Sequence, residues 1–263
     1  MAHTVLITGG SAGIGAAIAR EYAGRGWNVA LAARREAPMV ALAEELKGMG
    51  VETGVFVVDL FEEKTCRALF DQVVAQMGSV DGLVNNAGYG HPNSYLDSPW
   101  EAHARFNQLM LTAPCELTHI AAGPMVERGY GRIINVASLA GHMPGSRGHT
   151  LYAAVKSYLI KFSESLNAEL SSAGVHVSAL CPGFTYSEFH DVNGTREQVS
   201  KMPDFMWQTA EDVAAEAVEA CERNKAVHVT GRANRLLAML PRLLPAQMSR
   251  NIMARNSEKF RKG

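Results

Sequence analysis

Residues 4–15 read TVLITGGSAGIG, and the fold turns on how they are read. TVLIT is a short β-branched run of the kind that fills a strand. It passes directly into a turn built on Gly9, Gly13 and Gly15, with Ser11 and Ala12 inside it, and a helical pattern starts near Ile14. Glycines at such a junction let the backbone turn sharply and approach a pyrophosphate, while the helix that follows points its positive end at the anion. Three glycines alone say little; their place between an N-terminal strand and a helix gives them weight against the plain alternative of a tight turn with no nucleotide.

The same alternation continues outward from this unit. Strand-like runs lie at 4–8, 28–33, 54–59, 82–86, 132–137, 175–181 and 226–231, and amphipathic segments at 14–25, 36–48, 62–77, 100–128, 151–172 and 210–223. Continuous apolar strands separated by helices make a parallel sheet covered on both faces. The expected fold is therefore α/β, a doubly wound Rossmann-type sheet of about seven strands, with ligands at the carboxyl ends of the strands. At 263 residues and 47% hydrophobic, the chain suits one large domain over 1–263. Within it, an irregular insertion covers about 184–209 and a basic, leucine-rich segment covers about 232–263.

Charge is unevenly distributed. The net charge is −1, yet from residue 223 onward ten Lys or Arg face the single acid Glu258. Leu236, Leu237, Met239, Leu240, Leu243, Leu244, Met248 and Ile252 interleave with these charges. A solvated tail or a subunit contact explains the pattern, and weak contact with a membrane surface is the alternative. Nothing suggests a nucleic-acid partner. The four cysteines, Cys66, Cys115, Cys181 and Cys221, show no CxxC spacing, so neither a metal site nor a disulfide framework is expected and a reducing cytoplasm fits. The opening MAHTVLITGG has no basic stretch before a long apolar core, and no run is long enough to span a bilayer, so neither a signal peptide nor a transmembrane helix is expected.

The second strand carries the cofactor choice. Its end reads LAARRE, which puts Ala33 where an acid would grip a ribose 2′-hydroxyl, followed by Arg34 and Arg35. Arg34 suits a 2′-phosphate and can lay its guanidinium on an adenine, which favours NADP(H) over NAD(H).

Further along stand NNAG (85–88), Ser138 in NVAS, YAAVK (152–156) and CPG (181–183). With TGGSAGIG, and in this order over about residues 4–190, they resemble the short-chain dehydrogenase/reductase family, in particular its NADP-dependent bacterial members. The resemblance implies a catalytic set of Ser138, Tyr152 and Lys156: Ser138 bonds the substrate oxygen, Tyr152 is the general acid/base, and Lys156 holds the nicotinamide ribose. One helical turn from Tyr152, the Lys156 charge would also favour tyrosinate and lower its pKa. It further implies that Asp59, with Leu60 beside it, receives the adenine amino group, and that Asn86, Ala87 and Gly88 pass under the adenine ribose. Pro182, Gly183 and Thr185 would border the nicotinamide, with Ser187 competing for the Thr185 bond.

Two departures stand out. Ser138 and Tyr152 are fourteen residues apart where the family has about thirteen, an extra residue that a surface loop absorbs. More seriously, the family's fourth catalytic residue, an Asn, falls on Met110, whose thioether offers no amide donor or acceptor. Asn107, three residues earlier, could supply that amide from the preceding turn.

The expected activity is interconversion of a carbonyl and a secondary or primary alcohol on a bulky apolar small molecule. Tyr186, Phe189, His190, Met202, Phe205, Met206 and Trp207 in the insertion suggest the pocket, although core packing would use the same residue types. The rival reading, a dinucleotide-binding regulatory or scaffold protein, rests on Met110. Family resemblance implies a homodimer or homotetramer through the helices at 100–128 and 151–172.

Overall fold

The computed structural model describes residues 2–90, 95–145, 150–186, 203–245 and 247–251, the side chains of Phe205 and Arg242 excepted. Among these residues the strands are β1 (Thr4–Thr8), β2 (Asn28–Ala33), β3 (Thr53–Val57), β4 (Gly82–Asn85), β5 (Gly131–Val136), β6 (Val175–Cys181), β7 (Phe184–Thr185), β8 (Trp207–Gln208) and β9 (Val227–Val229). The helices are α1 (Gly13–Gly24), α2 (Glu36–Lys47), α3 (Thr65–Met77), α4 (Trp100–Asn107), α5 (Ala113–Arg128), α6 (Thr150–Leu170), α7 (Ala210–Glu222) and α8 (Arg232–Leu243).

Seven strands form one parallel sheet in the order β3-β2-β1-β4-β5-β6-β9. Thr4–Thr8 pairs with Asn28–Ala32 on one side, and Val5–Ile7 pairs with Gly82–Val84 on the other. The winding therefore reverses at β1, and the crevice beyond the ends of β1 and β4 is where such a sheet takes ligands. Side chains alternate between the two faces. Leu6, Leu83, Ile133 and Val177 join the core shared with α3, α5 and α6, whereas Val5, Ile7, Val84, Ile134 and Leu180 join the core shared with α1, α2 and α7. Both faces are covered, which is why the strands read as continuous apolar runs rather than alternating ones.

Two elements depart from expectation. The helix expected over 100–128 is divided into α4 and α5 by a π-helical turn, Gln108–Thr112. Pro114 supplies the reason: it has no N–H for the carbonyl of Met110 and its ring crowds that carbonyl, so the helix widens one turn upstream. The second is α8, a helix inside the segment expected only to be basic and leucine-rich; it follows Gly231, whose φ of 74° ends the loop after β9. The insertion after β6 is held at its base by the short parallel pair β7–β8, with the Tyr186 N–H donating to the Gln208 carbonyl (3.0 Å).

Candidate active site

At the switch point, Thr8 and Asn86 join the ends of β1 and β4. The Thr8 hydroxyl donates to the Val84 carbonyl (3.2 Å) and accepts from the N–H groups of Asn86 and Ala87 (both 3.1 Å). Asn86 Nδ2 returns to the carbonyls of Thr8 (3.0 Å) and Gly9 (3.1 Å). The glycine turn lies against this staple. Gly9 has φ +66°, and a Cβ there would stand 2.8 Å from Asn86 Nδ2. A Cβ on Gly15 would clash with the Gly9 carbonyl and with Asn86. Side chains are thus excluded on geometric grounds. Ala12, at the N-cap of α1, offers no side-chain acceptor, which leaves the first N–H groups of the helix for a ligand.

Around this turn, Arg35 donates to the Ser11 hydroxyl (3.2 Å). Arg34 is exposed and its guanidinium lies 5.3 Å from the centre of the Phe61 ring, which Arg105 approaches to 4.7 Å. Asp59 is half-buried, and its Oδ1 accepts from the Phe61 N–H (3.0 Å), a local turn that holds the carboxylate beside Arg34's aromatic rest. Leu60 is buried in the core. A glycine cradle open to backbone approach, a bare helix N-terminus and two arginines with no acid at the end of β2 fit a dinucleotide carrying a 2′-phosphate.

The second cluster lies where β5 and β6 end. Ser138 caps the 3₁₀ turn Leu139–His142, its Oγ accepting from the Ala140 N–H (3.1 Å). The turn is tied to the next strand by the Leu139 N–H, which donates to the Pro182 carbonyl (2.8 Å). Tyr152 and Lys156 come from α6, one turn apart. The Ser138 hydroxyl bonds the Tyr152 oxygen, and Lys156 Nζ stands 5.6 Å from the Tyr152 ring centre. Lys156 is buried, and Nζ donates to the Val136 carbonyl (2.7 Å).

The charges here run against one expectation. Burial lowers the Lys156 pKa from 10.5 to about 8. It pushes the Tyr152 hydroxyl up from 10.0 to about 12, with the Ser138 hydrogen bond pulling the other way. Lys156 therefore does not bring Tyr152 below its ordinary value in this arrangement, because the ammonium is turned to Val136 and desolvation of the phenol dominates. The Cys181 thiol is likewise raised to about 12 by burial, although Lys156 opposes it.

Beneath this cluster a buried amide chain fixes α6 to the sheet. Asn85 Nδ2 donates to Asn135 Oδ1 (2.8 Å), Thr118 Oγ1 (3.0 Å) and the Pro114 carbonyl (3.2 Å). Asn135 Nδ2 donates to Ser163 Oγ (2.9 Å), which donates to the Leu159 carbonyl (2.8 Å). Thr8 opens TGGSAGIG and Asn85 opens NNAG, but the motifs give neither residue a role of its own, and nothing local in the sequence marks Asn135 or Ser163.

Met110 sits in the π turn, 1% exposed, and a Cβ on Gly88 would stand 2.8 Å from its sulfur. The thioether thus packs directly on the NNAG backbone. Asn107 ends α4 and is half-buried, three positions before Met110, with the π turn starting at Gln108.

After β6, Pro182 and Thr185 are buried and Gly183 half-buried. Thr185 Oγ1 donates to the Gly183 carbonyl (3.3 Å). Gly183 abuts the side-chain amide of Asn234 in α8, a residue absent from the expected site. Trp207 stacks on Tyr186 (4.6 Å) and tilts against Phe184 (5.6 Å). Ser187, Phe189, His190 and Met202 lie outside the described residues, as do 146–149 in the loop with the extra residue.

A nucleotide cradle and a Ser–Tyr–Lys cluster at adjoining strand ends of a doubly wound sheet define a dehydrogenase-type site. The family model for short chain dehydrogenases matches residues 3–198, and the chain belongs to that family. A short chain dehydrogenase of Pseudocercospora fijiensis is 38% identical over 191 residues, a match spanning 70% of this chain and 60% of that protein's length. Among solved structures, a short-chain dehydrogenase from Sphingobium yanoikuyae in complex with NADPH matches with a TM-score of 0.80 at 29% identity, over 90% of this chain and 92% of that one. The bulky-bulky ketone specific alcohol dehydrogenase of Comamonas testosteroni matches with a TM-score of 0.75 at 28% identity, over 95% and 93% of the two chains.

Proposed function

We propose that the protein is an NADP(H)-dependent oxidoreductase that interconverts the carbonyl and alcohol forms of a bulky, largely apolar small molecule. The observation that carries this reading is the Ser138–Tyr152 hydroxyl pair with Lys156 buried beside the Tyr152 ring. When bound, the dinucleotide supplies a hydride to the carbonyl carbon. The chain supplies the rest. Tyr152 gives its proton to the substrate oxygen, and Ser138 donates a hydrogen bond to that oxygen as charge builds on it. Solvent reprotonates the tyrosinate left behind, and the Lys156 ammonium, anchored on the Val136 carbonyl, is assigned to the nicotinamide ribose. Arg34 and Arg35 are assigned to the 2′-phosphate, and the turn at Gly9–Gly15 to the pyrophosphate. The NADPH-bound Sphingobium relative supports the cofactor, and the Comamonas relative, together with Phe184, Tyr186 and Trp207, supports a bulky substrate.

A second reading, a dinucleotide-binding regulator with little catalysis, is favoured by Met110, a buried thioether where the family's amide would stand. For an active enzyme we assign a homo-oligomer through the exposed sides of α5 and α6, with Tyr158 of α6 46% exposed. We assign a reducing, cytoplasmic setting from the sequence, whose four cysteines show no CxxC spacing.

The test is NADPH consumption over a panel of bulky ketones and aldehydes, with NADH in parallel. Turnover with NADPH is expected, falling by at least about 100-fold in Tyr152→Phe. Tight NADPH binding with no turnover on any substrate would move the protein to the regulatory reading.

A further inference from the structure

We propose that α8 and the basic residues after it dock the protein on an anionic lipid surface. Twelve residues make α8 about 18 Å long. One side is packed: Asn234 and Ala238 are 1% and 6% exposed, and the helix rests on β9 and on the turns Leu139–His142 and Asp204–Met206. The other side is an apolar stripe open to solvent. Leu236, Met239, Leu240 and Leu243, at helical spacing, are 68%, 53%, 49% and 73% exposed, and Met248 beyond them is 51% exposed. Single exposed apolar side chains are ordinary, but a contiguous row marks a surface that something covers.

Charge selects the occupant. Arg232, Arg235 and Arg242 lie along the helix sequence, Arg250, Arg255, Lys259, Arg261 and Lys262 follow it, and Glu258 is the single acid from residue 223 to the end. Arg235 is partly neutralised by Glu216 (3.5 Å). A bilayer with acidic headgroups offers a negative surface over an apolar layer and so satisfies both sides of this helix. A second copy meeting α8 with α8 across a two-fold axis would set the basic segment against itself. Because α8 rests on the turn that Ser138 caps, docking would hold that turn beside the headgroups.

The test is sedimentation of the full-length protein with phosphatidylcholine vesicles containing about 30% phosphatidylglycerol, against phosphatidylcholine alone. Binding is expected to the anionic vesicles only, weakening as salt rises. Leu240→Asp with Leu243→Asp should lower the partition coefficient by about tenfold or more. Arg232→Glu and Arg250→Glu should each lower it by about fivefold or more. All four positions are exposed, so the thermal midpoint should stay at the wild-type value, which separates lost docking from lost fold. No binding of the wild type, equal binding of the leucine variant, or a vesicle-free dimer that the leucine changes dissociate while the wild type ignores vesicles would each overturn the proposal.

Discussion

Replacing Lys156 with Met removes a charge that the fold holds at a cost. The side chain is 6% exposed, and its ammonium donates to the Val136 carbonyl at 2.7 Å. Desolvation lowers its pKa from 10.5 to about 8. At about 1.4 kcal/mol per unit, that shift amounts to about 3 kcal/mol against the folded state at every pH below the folded value. The folded pKa lies under the unfolded one, so between pH 8 and 10.5 the unfolded chain holds the additional proton and stability rises with pH across that window. Met keeps most of the stem's volume but abandons the Val136 carbonyl, which costs about 1–2 kcal/mol. Lys156→Met should therefore be more stable than wild type at pH 7 by about 1–2 kcal/mol, with the gain vanishing by about pH 10. Urea unfolding of both proteins at the two pH values measures it, since other titrating groups cancel in the comparison. The same stability difference at pH 7 and pH 10 would refute the reasoning. Activity should be lost in the same variant, so the lysine would be kept for chemistry at the expense of stability.

Three further outcomes are expected. A Cβ at Gly183 would collide with the Asn234 amide, so Gly183→Ala should cost about 1–3 kcal/mol in denaturant unfolding, and adding Asn234→Ala should recover part of it. Met110→Asn places an amide at a 1% exposed site against Gly88; it should raise turnover or shift its pH profile, and no change in either would remove Met110 from the mechanism. Burial holds Tyr152 as the acid up to about pH 12, so initial rates of carbonyl reduction should be level from about pH 6 to 8, while alcohol oxidation, which needs tyrosinate, should climb with pH. A level oxidation profile would show that the phenol is not the titrating base.

What the sequence made legible follows from which forces act locally. The order and limits of the main-sheet strands are readable to within a residue or two, because burial on both faces demands unbroken apolar runs and glycines or polar residues end them. The glycine turn is readable for a similar reason: Gly9 and Gly15 are fixed by contacts with Asn86 that no side chain could share. Relations between distant segments are less so. Asn234 reaches Gly183 across 51 positions, and the chain from Asn85 through Asn135 to Ser163 crosses three elements, so no spacing rule announces either.

The tyrosine and the lysine show how far motif reading goes and where it stops. Their spacing along a helix places them together, as α6 does. It carries no information on desolvation, and burial decides both proton affinities here, raising one group and lowering the other. An isolated Tyr–Lys pair would exchange influence through charge alone. Set against the Val136 carbonyl and the Ser138 hydroxyl, the pair rests instead as a neutral phenol that parts with its proton less readily than a free tyrosine, beside an ammonium that parts with its own more readily than a free lysine. Met110 belongs to the same argument. Pro114 opens the helix at position 110 whatever residue stands there, so the widened turn persists without the family's amide, and the thioether seals against Gly88 a place where an amide would have been held. Backbone geometry and side-chain chemistry are separable at this position, which is why exchanging the side chain alone is an informative experiment.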